Sequence, residues 1–442
     1  MKSIKTIALA ASLIVAGSVV SNAQTRLHYT GSTAYRPAAI NAIHNIFVSS
    51  SLAYAYTGSS ETSANAAVYS GTIGTTSYII KTYWSGSEAG IQAVAQGGVG
   101  IALNFPADSP SKGGPGNDQT LTVGTPISGI DDPTSGASGD YSSTVPNVDM
   151  ADTYQATSQY HTAYQGHTYS ALTGAFATGN SLGNGIVGVV PFKWVGSSGF
   201  TSGTNVTPDI VKNLFATGFI PKALFTGNTL DQNTNVYAVG RDTDSGTRLS
   251  AFSDTGYGAL SGVFQFEPLA SGSSGLSLVT AVSGTIAELI PWPQETVNGS
   301  TILSPDGGYN SGGKLAGAIG SNTASMVVYA SGTAASATGT GGDLLTYLST
   351  GDAATAIGGG GVEMTFEGVP YSLNALQQGQ YGFWGYEHMY YLTLAGPVGT
   401  AGTQLNVVDA IATSLYTTYA TVTVPSMAVR RSIDGAVITE TY

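Results

Sequence analysis

Short runs rich in β-branched and aromatic residues recur along this chain, and several lead within a few residues into a helix start. "TRLHYTGSTAYRPAAINAIHNIF" (25–47) begins as a strand and turns at Gly31. It then reads as a helix, with Pro37 near its first turn and Ile40, Ile43 and Phe47 on one face. "TSYIIKTYW" (76–84) meets "SGSEAGIQAVAQGG" (85–98), and "NVYAVG" (235–240) meets "RDTDSGTRLSAFSDTGYG" (241–258). Strands alternating with helices imply an α/β architecture with mostly parallel pairing.

The same pattern continues elsewhere. "NGIVGVVPFKWV" (184–195) reads as a buried strand, and "TPDIVKNLFATG" (207–218) as a helix with Thr207 as cap, Pro208 at its first position and Gly218 at its end. "SMVVYA" (325–330) and "GFWGYEHMYYLTL" (382–394) read as strands, and "QLNVVDAIATSLYTTYA" (404–420) as a long helix. Residues 106–147 hold almost nothing but turn formers and read as a surface insertion.

Only 9% of the 442 residues are charged, against roughly a quarter in an average soluble domain. Glycine (60 residues), serine, threonine and alanine fill the space. Lys2 and Lys5, the apolar "TIALAASLIVAGSVV" and the small residues "SNA" (21–23) form a secretory leader, residues 1–23. No second apolar stretch suggests a membrane span in the mature chain. The absence of cysteine excludes disulfides, thiolate metal sites, thiol nucleophiles and a lipoprotein anchor. A periplasmic or secreted protein is expected. The formal net charge of −12 falls further once the leader lysines are gone, which argues against nucleic-acid binding. It does not argue against one small anion, which backbone amides and a local arginine can capture.

Ser-Gly-Thr occurs five times, so the copy at 245 is set apart only by its surroundings. A strand feeds Arg241, and Ser245, Gly246 and Thr247 stand where a helix begins. A helix N-terminus carries unsatisfied N–H donors and about half a positive charge. Hydroxyls add donors, glycine admits close approach, and an arginine fork can clasp an oxyanion through two parallel bonds. A nearby aspartate can orient that fork. "GSTAY" (31–35) and "SGSEAG" (85–90), the latter before a helix from Ile91, repeat the design. Three such junctions could converge on one tetrahedral anion at the carboxyl ends of the strands.

Taken together, "GSTAYRP", "GSEAGI", "ADTY" and "RDTDSGTR" resemble the motifs of the periplasmic phosphate-binding proteins of ABC-type phosphate importers (PstS type). "GGKLAGAIG" (312–320) and "GYEHMYYL" (385–392) are weaker echoes. The resemblance implies a type II periplasmic-binding-protein fold, two α/β lobes joined by crossover strands around a ligand cleft. On that reading lobe 1 is 24–188 with the 106–147 insertion, lobe 2 is 189–377, and 378–442 returns to lobe 1.

Carried over by position, Thr33 and the N–H of Ala34 are donors from the first turn, and Ser87 is the donor of the second. Arg241 pairs with the anion, and Ser245, the Gly246 N–H and Thr247 complete the clasp. The family also uses an aspartate that accepts the proton of hydrogen phosphate and so rejects sulfate. An ungapped count from Ser87 lands on Phe105; with the turn-rich stretch as an insertion, Asp152 takes the place, with Asp149 and Asp108 as alternatives. Where the family has an aspartate two residues after the arginine, this chain has Thr243, which leaves Asp242 or Asp244 as the orienting carboxylate.

"GNSLG" (179–183) fits a nucleophile elbow, but a strand follows it where a helix is needed. "GYNSGGKL" (308–315) has Leu315 where a phosphate loop of an NTPase has its magnesium-holding hydroxyl, and reads as a helix start. His161 and His167 match no metal spacing. The expectation is a non-enzymatic, monomeric solute-binding protein without cofactor, taking phosphate or a similar oxyanion and serving an ABC permease. The alternative is a structural or adhesive surface protein on the same fold with its ligand site lost.

Overall fold

The computed structural model describes residues 25–96, 101–108, 123–124, 127–130, 141–270, 284–297, 299–329, 337–394 and 403–441; the leader lies outside them. Its framework is one mixed sheet of 13 strands. The strands used below are β1 (Thr25–Gly31), β2 (Ala53–Thr57), β3 (Ala66–Ile73), β4 (Thr76–Tyr83), β5 (Ile127–Ile130) and β6 (Val148–Ala151). They continue with β7 (Ile186–Gly196), β8 (Phe219–Pro221), β9 (Asn235–Ala238), β10 (Asp343–Ser349) and β11 (Trp384–Tyr391). Their spatial order is β8-β9-β10-β7-β11-β6-β1-β4-β3-β2-β5, and two further short strands pair with β7 and β11.

Two α/β halves share this sheet. The first runs from β5 to β11, the second from β7 to β8. They meet where β7 changes partner. Its opening residues pair with β11, ending at Pro191 opposite Trp384. From Phe192 opposite Ser349 to Gly196 opposite Leu345 it pairs with β10. Pro191 has no N–H to give to a ladder.

The expected dominance of parallel pairing does not hold. β1 pairs in parallel with β4 and β6, and β9 with β10. Hairpin connections make β2–β3 and β3–β4 antiparallel, and β7 and β11 run antiparallel to their neighbours. Within the segment read as a surface insertion, β5 pairs with β2 and so extends the sheet.

Helices α1 (Arg36–Ile46), α2 (Ser87–Ala95), α3 (Pro208–Thr217), α4 (Gly246–Asp254), α5 (Gly312–Ile319), α6 (Thr350–Gly358) and α7 (Gln404–Ser414) pack on the sheet. Local chemistry sets their ends. The Thr207 hydroxyl accepts from the Ile210 N–H, and Gly218 closes α3 in the left-handed region at φ 84°. α5 begins where "GYNSGGKL" was read as a helix start. α7 is shorter than expected, because residues 415–419 loosen into a π turn. Two large apolar clusters fill the interior, and Trp194, fully buried on β7, packs against Phe215, Tyr347, Phe366 and Phe383. Trp194→Ala is expected to lower unfolding free energy by about 3–5 kcal/mol in urea titration; a loss under about 1 kcal/mol would mean the cluster collapses around the gap.

Candidate functional site

In the first half, the turns after β1 and β4 are drawn together by backbone contacts. Gly31, at φ 120°, lies so close to β6 that a Cβ there would stand 2.0 Å from the Met150 carbonyl oxygen. Ser32 donates its N–H to that carbonyl at 2.6 Å, and Gly86 donates to the Gly31 carbonyl at 2.9 Å. Gly86 sits at φ 102° and starts α2 at Ser87, four residues before the expected Ile91. Residue type explains the shift: the glycine makes the sharp turn, which frees Ser87 to open the helix.

In the second half, β9 delivers Arg241 into the interior with 3% of its surface exposed. Its Nε donates to the Tyr309 carbonyl at 2.9 Å and its Nη2 to that of Asn310 at 3.2 Å. The expected orienting carboxylate is thus replaced, for these two donors, by carbonyls of the segment before α5. Asp242 is buried beside Arg241 with its Oδ1 unpartnered, and burial pushes it up to about 6 against the opposing charges of Arg241 and Arg248. Ser245 is the N-cap of α4, its Oγ accepting from the Arg248 N–H at 3.3 Å. Arg248 is anchored by the Arg241 and Asp306 carbonyls and by the Asp306 carboxylate.

Above the sheet the halves meet beside these junctions. The Glu88 N–H donates to the Asp244 carbonyl at 3.0 Å, which joins the second junction to the third. Beside that bond the Ser87 hydroxyl donates to Asp152 Oδ1, and the Thr247 hydroxyl donates to Asp152 Oδ2 at 3.1 Å. Gly246 leaves no room for more, since a Cβ there would lie 1.8 Å from Asp152 Oδ1 and 2.8 Å from Ser87 Cβ. Burial pushes the Asp152 carboxyl up, while the two hydroxyls and the Arg241 charge pull it down. Donors from two helix starts on opposite halves therefore aim at a single pair of carboxyl oxygens.

Ser87, Asp152, Gly246 and Thr247 are thus brought into contact, with Ser245 adjoining as a cap. Arg241 stands near enough to stabilise the charge of Asp152. Thr33 and Ala34 lie half-buried in the turn between β1 and α1. The alternatives to Asp152 are placed elsewhere. Asp108 pairs with Arg26 and Lys81, and Arg26 lies at the start of β1, roughly 16 Å along the strand from Gly31. Asp149 points into the space left by Gly90, where a Cβ would stand 1.8 Å from its Oδ1, and both its oxygens are unpartnered.

The motif reading missed Glu88, although it is the only charged residue between Lys81 and Asp108. It is buried, accepts from the Ser158 and Thr153 hydroxyls at 2.6 and 3.1 Å, and is pushed by burial up to about 7. Glu387 on β11 is also fully buried with both oxygens unpartnered, and is pushed well up by burial and by Asp152 and Asp149. Among the described residues no group of three or more His, Asp or Glu side chains could hold a metal ion.

No known family model matches the chain, and no curated protein matches it. Solved structures do. The structure is similar to phosphate-transport receptors. The substrate-binding protein assigned to a phosphate ABC transporter of Clostridium perfringens, solved with phosphate bound, aligns over 90% of this chain and 100% of its own, at 11% identity and TM-score 0.40. An ABC-type phosphate transport receptor from Vibrio cholerae aligns over 89% of this chain and 98% of its own, at 11% identity and TM-score 0.38. PstS from Borrelia burgdorferi aligns over 83% and 87%, at 10% identity and TM-score 0.31. These likenesses are distant, and the reading of the site rests on its own residues. Among the described residues no helix is long and apolar enough to cross a membrane.

Glu88 makes stability pH-dependent. The folded chain keeps its proton up to about pH 7, whereas an unfolded glutamate loses it near 4.5. Between those values the folded state binds more protons, so stability falls as pH rises, by up to about 1.4 kcal/mol per pH unit for this group. Glu88→Gln is expected to remove that share of the slope in urea titrations from pH 4.5 to 7; an unchanged slope would show that Glu88 does not titrate there.

Proposed function

We propose that this chain is a solute-binding protein that captures inorganic phosphate, or a related tetrahedral oxyanion, outside the cytoplasm and hands it to an ABC importer. The observation that carries the reading is the meeting of the Ser87 and Thr247 hydroxyls, from helix starts on opposite halves, at one carboxylate. Groups set to donate to Asp152 in the closed form are set to donate to an anion once the halves part.

An incoming phosphate takes over both hydroxyls and gains the N–H groups at the starts of α2 and α4. The turn at Thr33 and Ala34 adds donors from the first junction, and Arg241 adds the fixed positive charge. Asp152 is then left facing the anion. Two unprotonated anions repel at that distance, so the pair is stable only with a shared proton, which hydrogen phosphate brings and sulfate lacks near neutral pH. Closing of lobe 1 (24–188 with 378–442) on lobe 2 (189–377) buries the anion, and no covalent bond is made or broken.

Calorimetric titration of the purified protein tests this. Saturable phosphate binding that excess sulfate does not displace is expected, with Arg241→Ala weakening it at least about 100-fold, the loss of a buried charged clasp. Absence of heat with phosphate, arsenate and sulfate alike, from folded and ligand-free protein, would sink the anion reading and leave Asp152 as an internal staple of a scaffold.

A further inference from the structure

A cavity of about 240 Å³ lies beside the clasp, walled by both halves. Two of its walls are the junctions just described. Glu88 follows Ser87 directly, and Thr243 and Ser245 stand between Arg241 and Gly246. Beyond the cavity Ser300 donates to Gln165 Oε1 at 2.8 Å, another polar contact between the halves. The closed halves are thus joined on either side of a space left open. A small polar-lined cleft between two lobes is a common place for a ligand.

Its lining restricts what fits. Its arginine, Arg248, is spent on Asp306 and two carbonyls, and its glutamate, Glu88, holds two hydroxyls. The lining therefore offers no unmatched positive charge to a second acidic group. What remains is mixed. Gln159, Tyr164, Ser261 and Thr301 supply hydroxyl and amide groups, while Leu260 and Leu303 present apolar carbon, with 56% and 65% of their surfaces exposed. Alternating hydroxyl and hydrocarbon is the surface of a short polyol. The volume is below the roughly 300–1,000 Å³ of a drug-sized pocket, so the group is small.

We propose that this cavity receives the organic part of a small phosphate monoester carrying a neutral, hydroxylated group, whose phosphate is held by the clasp. The proposal rests on the anion reading of that clasp and extends its ligands from the free ion to its polyol esters. Ser245 adjoins both parts of the ligand, since it caps α4 and also lines the cavity.

The test is calorimetric titration of the purified protein with inorganic phosphate and with glycerol phosphate, repeated on Leu303→Trp and Thr301→Tyr. Leu303 is mostly exposed, so its replacement fills the cavity mouth without disturbing the core. Glycerol phosphate is expected to bind within about tenfold of inorganic phosphate, and Leu303→Trp to weaken only the ester, by about tenfold or more. Thr301→Tyr is expected to do the same. Phosphate binding with an ester more than about 100-fold weaker, or equal loss of both ligands in the variants, would overturn the proposal while leaving the clasp intact. Binding of neither ligand to the wild type would remove the clasp reading and this one with it.

Discussion

The arrangement of the site depends on one carboxylate. Asp152 accepts from Ser87, on its own half, and from Thr247, on the other, and Gly246 packs against it closely enough to exclude a methyl group. Each half alone would present helix-start donors to water. Together they place those donors around a common centre, in a dry site where a hydrogen bond is electrostatically stronger than in water. The same low polarity pushes Asp152 up, against the pull of the two hydroxyls and of Arg241.

Acidity is distributed unevenly in the molecule. Several carboxyls are buried near the centre, among them Asp149 and Glu387 with no hydrogen-bonding partner and Glu88 with two hydroxyls. For all three the dominant influence is desolvation, which favours the protonated form. In a chain with so few charges, placing them in the interior makes the first half of the molecule a proton-holding body at mildly acidic pH. Arg241, from the second half, opposes it at Asp152.

The sequence disclosed elements better than their partnerships. Helix α3 was legible because Thr207, Pro208 and Gly218 are end signals that act locally, and the structure uses Thr207 and Gly218 in the roles their chemistry suggests. The direction of strand pairing was not legible, because it depends on connections that residue pattern does not encode. Ser87 and Thr247 were found through the motifs and do meet; Asp108 was a plausible acceptor only until the strand order put it at the opposite end of β1. The carbonyls of Tyr309 and Asn310 that hold Arg241 could not be foreseen, since a backbone acceptor has no side-chain signature.

One further consequence belongs to β7. A strand that pairs with β11 up to Pro191 and with β10 from Phe192 onward makes one backbone part of both ladders. Proline fixes φ at that step, and the next N–H, of Phe192, still donates to the Phe383 carbonyl at 3.1 Å, so the changeover is held stiff. The two halves therefore share a continuous piece of sheet backbone as well as the contacts above it, so neither ladder ends at the boundary between them.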